Sequence, residues 1–123
     1  MFKIKNQHIL VTRGDIGSFD VGAKNEDQTD YTFQKGDVVR FTVYKKKDCN
    51  CIELQKDTIV STASTSVEIK LESEDTKIGG VISKPSDYWY EVVLNPETAP
   101  QTIIGFDEAG EKILTLYPEG KDE

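Results

Sequence analysis

Apolar and polar residues alternate with a period of two along most of this chain, as in strands that bury one face. Residues 8–12 (HILVT) form a first short strand, and Gly14 and Gly17 punctuate the stretch after it. Residues 18–21 resume the pattern, with Phe19 and Val21 on one face. Residues 31–33 are a brief extended piece, and Gly36-Asp37 is a turn signature. The clearest strand is 38–44, where Val39, Phe41 and Val43 alternate with Arg40, Thr42 and Tyr44. Residues 52–60 read as its returning partner. In 66–71, Val67, Ile69 and Leu71 share a face. Residues 87–94 form an aromatic strand that Asn95-Pro96 breaks. Residues 101–106 and 111–117 flank Asp107 to Gly110 and are expected to pair as a hairpin, the glycine supplying a positive φ.

One helical turn interrupts the strands. Ser73 is a good N-cap, Glu74 and Asp75 suit the positive end of the dipole, and Gly79-Gly80 stops the turn. No long helical pattern exists from which βαβ units could be built. About seven or eight short strands at regular spacing predict an all-β, antiparallel β-sandwich, with an open barrel as the competing architecture. One domain over 1–118 is expected, followed by a polar C-terminal tail, 119–123.

The composition narrows the function. The chain has 123 residues, with 22 acidic and 15 basic side chains and a net charge of −7. No apolar run approaches a membrane span, and no basic face suits nucleic-acid phosphates, so neither membrane nor nucleic acid is an expected partner. One histidine and two cysteines leave few ligands for a transition metal. No metal or cofactor is therefore expected. Lys3 and Lys5 alternate with Phe2 and Ile4, so the N-terminus has no signal-peptide apolar run and a cytoplasmic origin is expected. Cys49 and Cys51 lie too close for an unstrained bridge and read as reduced thiols at a strand start.

Several residues invite chemistry and are weighed against plainer roles. Arg13-Gly14-Asp15 spells the integrin tripeptide, but a glycine between two charges is also an ordinary tight turn, and the turn is preferred. His8 stands without a nucleophile or further ligands beside it, and no hydrolase elbow or phosphate loop occurs. Glu26, Asp27 and Asp30 share one loop, and Glu72, Glu74 and Asp75 share another. Neither has calcium-loop spacing, and both read as solvated connections; a hydrolase built on two such carboxylates is the weakest reading. Lys45 to Lys47 read as solubilising hairpin residues. Tyr88 and Tyr90 share one face of their strand and Trp89 takes the other. Trp89 is assigned to the core, and the two tyrosines to an outer face that could meet a partner or a sugar.

The order of motifs carries a resemblance. Residues 11–15 (VTRGD) and 19–21 (FDV) open the domain, and 31–37 (YTFQKGD) lead into the strand 38–44. A turn with Leu71, Glu74 and Lys77 precedes the aromatic strand 88–94, and 116–120 (LYPEG) end the pattern. This layout resembles small immunoglobulin-like β-sandwich proteins of phages and prophages, and is similar to the N-terminal domain of siphophage baseplate upper proteins. The resemblance implies an immunoglobulin-like fold and a non-enzymatic structural or interaction module of a tail or baseplate. It implies phage structural proteins or further copies of the chain as partners, and residence in the host cytoplasm before assembly and in the virion afterwards. No catalytic residues carry over. The contact residues expected are Tyr88 and Tyr90, with Phe2 and Ile4 of the N-terminal segment. A carbohydrate-binding or adhesion module on Tyr88 and Tyr90 is the alternative.

Overall fold

Burying alternate residues along most of the strands yields two sheets that close on one apolar layer. The computed structural model describes residues 1–45, 51–105, 110 and 112–119. Among these, the strands are β1 (Phe2–Lys5), β2 (His8–Thr12), β3 (Gly17–Val21), β4 (Val38–Tyr44), β5 (Ile52–Ile59), β6 (Val67–Leu71), β7 (Ser86–Leu94), β8 (Gln101–Ile104) and β9 (Lys112–Tyr117). A single 3₁₀ turn, Ser73–Thr76, joins β6 to β7. The alternation in the sequence is the alternation in space: Val67, Ile69 and Leu71 of β6 are buried while Glu68 and Lys70 are exposed.

The larger sheet runs β1-β2-β9-β7-β4-β5, with β8 also on β7; β3 and β6 form the smaller sheet. In immunoglobulin lettering, β3 and β6 are strands B and E, facing a sheet in which strands G, F, C and C′ stand in that order. The ladders are antiparallel except that of β2 on β9, which is parallel and lays the beginning of the domain beside its end. Antibody domains join strands B and F by a disulfide packed on a tryptophan of strand C. Here three aromatic rings take that place. Phe19 of β3 meets Phe41 of β4 edge-on at 5.5 Å, and Phe41 meets Tyr90 of β7 at 5.6 Å. Phe41 is fully buried, so apolar burial with favourable ring geometry pins the two sheets together. Tyr88 stands two residues before Tyr90, where the tyrosine corner of such domains lies. Its hydroxyl lies against Gly79, where a Cβ would come within 3.1 Å of it; Gly79 also has a positive φ of 65°, so the turn needs glycine there.

Four details differ from the sequence expectations. Segments β8 and β9 do not form a hairpin with each other. Ile104 pairs with Val92 and Lys112 with Tyr90, so both segments run antiparallel to β7, end to end on the same side. Residues 106–109 and 111 of the expected turn lie outside the described residues. The expected glycine of that turn, Gly110, does have a positive φ, of 99°. Residues 31–33 make only an isolated bridge, between Phe33 and Ser64. Glu72, not Ser73, caps the 3₁₀ turn: its N–H donates to Asp75 at 2.8 Å, while the Ser73 hydroxyl donates to the Gly14 carbonyl at 2.7 Å. Finally, Phe2–Lys5, not among the strands expected from the sequence, is a strand of the larger sheet.

Candidate functional site

The aromatic strand faces the other way from the sequence expectation. Tyr88 and Tyr90 are 9% and 4% exposed, and Trp89 is only half-buried on the opposite face. The cause is parity. Tyr88 and Tyr90 share their side of β7 with Val92 and Leu94, both buried, whereas Trp89 shares its side with Asp87 and Glu91. Placing Trp89 inside would place two carboxylates inside with it, at a desolvation cost that one indole cannot offset. A sugar platform on Tyr88 and Tyr90 is therefore lost. The Tyr90 hydroxyl donates to the Gln7 carbonyl, and burial pushes its pKa up to about 12.

The exposed aromatic surface belongs instead to the outer face of the larger sheet. Tyr44 of β4, Trp89 of β7 and Ile113 of β9 are direct cross-strand neighbours, all half-buried. Cross-strand pairs of this kind stack side chains over the sheet and stiffen it. The Tyr44 hydroxyl donates to Glu91 at 2.8 Å, and burial together with that carboxylate pushes its pKa up to about 12. It thus stays a neutral donor and sets Glu91 at the border of the apolar row.

Polar groups frame this row on both sides. Arg40 grips Asp57 with two bonds, at 2.8 and 3.1 Å, and Glu97 with a third at 2.9 Å. The bidentate pair holds the Asp57 carboxyl below the usual range and ties β4, β5 and the turn after β7 together. On the other side, the Thr115 hydroxyl donates to Asp87 at 2.7 Å and so accepts from His8 Nε2, also at 2.7 Å. The order is imidazole, hydroxyl, carboxylate. A nucleophilic triad needs the imidazole in the middle, to take the hydroxyl proton. Here the hydroxyl already donates its hydrogen bond to the carboxylate, and the chain of bonds braces β2, β9 and β7.

The remaining sequence candidates fall into structural roles. Arg13 is pinned, not presented: its guanidinium donates to Glu119 at 2.9 Å and to the Gly79 carbonyl at 3.2 Å. Asp15 pairs with the N-terminal amine, and Thr76 bonds to both Gly14 and Asp15. The tripeptide is a tight turn. Asp27 accepts from the backbone and hydroxyl of Thr29, which lowers its pKa, and Lys24 pairs with Asp30, so the first acidic loop is closed on itself. Asp75 of the second pairs with Lys56. Among the described residues no group of three or more histidine, cysteine, aspartate or glutamate side chains could hold a metal ion. No described helix is long and apolar enough to cross a membrane. Phe2 is half-buried on Phe19, while Ile4 is 41% exposed. Lys45 and Cys51 are exposed beside the β4–β5 connection; Lys46, Lys47 and Cys49 lie outside the described residues.

Sequence reasoning missed Tyr44, Ile113 and the His8–Thr115–Asp87 line. The first two needed only the parity of their strands; the third needed the parallel pairing of β2 on β9, which brings together residues 107 positions apart. Fold and surface together describe an all-β sandwich with an aromatic sheet face. Comparison with known protein families, with curated proteins and with solved structures finds no match.

Proposed function

We propose that this protein is a non-enzymatic interaction module whose larger sheet docks, by its outer face, on a neighbouring protein subunit. The observation that carries the reading is the row Tyr44–Trp89–Ile113, an aromatic and aliphatic surface bordered by Thr42 and Glu91 on one side and Asp87 and Thr115 on the other. A half-buried tryptophan beside a tyrosine, within a polar rim, has the composition of an interface centre. The setting we propose, a phage or prophage tail or baseplate, rests on the resemblance in motif order and on nothing else. On that reading the partner is another structural subunit of the particle.

Trp89→Ser tests the face. Because Trp89 is half-buried on the solvent side, the substitution should leave the fold intact by circular dichroism and weaken binding by at least about tenfold. The binding partners to assay, by calorimetry or pull-down, are the structural subunits encoded beside this chain's gene. Unchanged binding by the variant removes the face from the mechanism. A gene neighbourhood without tail or tape-measure genes removes the particle setting.

A further inference from the structure

We propose that β1 is an exchangeable strand through which two copies of this chain pair. The inference does not depend on the Trp89 face. It starts from the β1–β2 connection, whose two turn residues, Asn6 and Gln7, have φ of 49° and 68°. Two successive positive φ values in a two-residue hairpin define a type I′ turn, for which Asn-Gly is the preferred pair. Asparagine enters this region readily; glutamine does not. The turn is therefore strained at Gln7, and a strained hinge favours exchange of the element it carries.

The register shows what opening the turn produces. Phe2 pairs with Val11, Lys3 with Leu10, Ile4 with Ile9 and Lys5 with His8. Continued across an opened hinge, the same register pairs Asn6 with Gln7. Two chains extended through residues 2–11 can therefore lie antiparallel with every existing pair kept, now between copies. A two-fold axis passes between Asn6 and Gln7, as a closed symmetric dimer requires. The larger sheets of both copies then join along this edge.

The seat that β1 leaves fits only β1. Gly17 has no side chain, and a Cβ there would stand 2.3–2.8 Å from the Phe2 ring. Phe2 stacks on Phe19 at 6.3 Å. The N-terminal amine pairs with Asp15, and Thr12 donates from its backbone to the Met1 carbonyl at 2.9 Å. Each contact is the same whichever copy supplies β1. What changes is the hinge, which relaxes, and its anchor, the Tyr90 hydroxyl on Gln7, which belongs to the closed form. The occupant is accordingly a second copy of this chain.

Light scattering after size exclusion, on the full chain from micromolar to millimolar concentration, tests the exchange. Gln7→Gly suits the closed turn and should lower the dimer association constant by about tenfold per hinge, and so about a hundredfold per dimer. Gln7→Val disfavours the turn and favours the extended strand, and should raise it. Deleting Asn6 and Gln7 leaves no residues for a turn and should give a dimer at every concentration. In a background of Cys49→Ser and Cys51→Ser, oxidised Lys3→Cys, Leu10→Cys dimers should migrate as covalently linked pairs. The proposal is overturned if Gln7→Gly and Gln7→Val dimerise alike. A folded, monomeric deletion variant overturns it, and so do cross-links that stay within single chains.

Discussion

Three described turns hold a non-glycine residue at positive φ, those at Asn6-Gln7, Gln28 and Asn95, and the first and last are secured very differently. Asn95, at 49°, ends β7 and is fixed from several directions. Its side-chain oxygen accepts from the Val38 N–H at 2.9 Å and its amide donates to Asp37 at 3.2 Å. Its backbone N–H donates to the Val38 carbonyl at 2.7 Å. Asp37 in turn accepts from the Gln34 N–H and from the Tyr31 hydroxyl, and these donors hold its pKa below the usual value. Gln7, at 68°, has one such anchor from outside the hairpin, the Tyr90 hydroxyl on its carbonyl. Backbone strain persists where its surroundings over-determine it. The Asn95 turn is therefore a clamp and the Gln7 turn a hinge, although their backbones are equally unusual.

The contrast can be broken most strongly at Asn95. Asn95→Ala removes both side-chain bonds and leaves alanine at positive φ. It should cost about 2–4 kcal/mol in urea unfolding, with an unchanged slope. A loss under about 1 kcal/mol would mean that the backbone bonds alone hold the clamp.

The next effect sharpens the hinge side. An unfolded tyrosine ionises near pH 10, whereas buried Tyr90 does so at about 12. Its folded pKa is raised, so its contribution is complete below pH 10 and is lost as pH rises towards 12. The difference corresponds to roughly 3 kcal/mol. Unfolding free energy should fall over that window, and Tyr90→Phe should flatten the fall. An equally steep fall in the variant would move the effect to another tyrosine, Tyr44 first.

The smallest effect is a gain. Gln7→Gly should stabilise the monomer by about 1 kcal/mol, because relief of strain at positive φ outweighs the added freedom of the unfolded chain. A loss of stability would show that Gln7 is not strained and that the two turns are alike.

Much of the fold was legible in the sequence, because strand alternation is a local property. Val67, Ile69 and Leu71, like Val39, Phe41 and Val43, declare both their strand and its buried face. Where the sequence misled, the deciding information was either parity or distance. On β7 the deciding parity was present in Val92 and Leu94, which share their side with Tyr88 and Tyr90 and not with Trp89. The hairpin expected around Gly110 failed for a non-local reason: both flanking segments pair with β7, and a local turn signal does not reveal which neighbour a strand chooses. The Asn6-Gln7 turn was silent because its second residue is not glycine. The site was less legible than the fold, since Tyr44, Trp89 and Ile113 come from three strands and meet only through register.

The end-to-end seating of β8 and β9 on β7 has an evolutionary consequence. Ile104 and Lys112 sit beside Val92 and Tyr90, only two positions apart along β7. The ladders on either side are set independently of what lies between. The pairs that seat Ile104 and Lys112 can thus be inherited unchanged while a lineage varies the sequence between them.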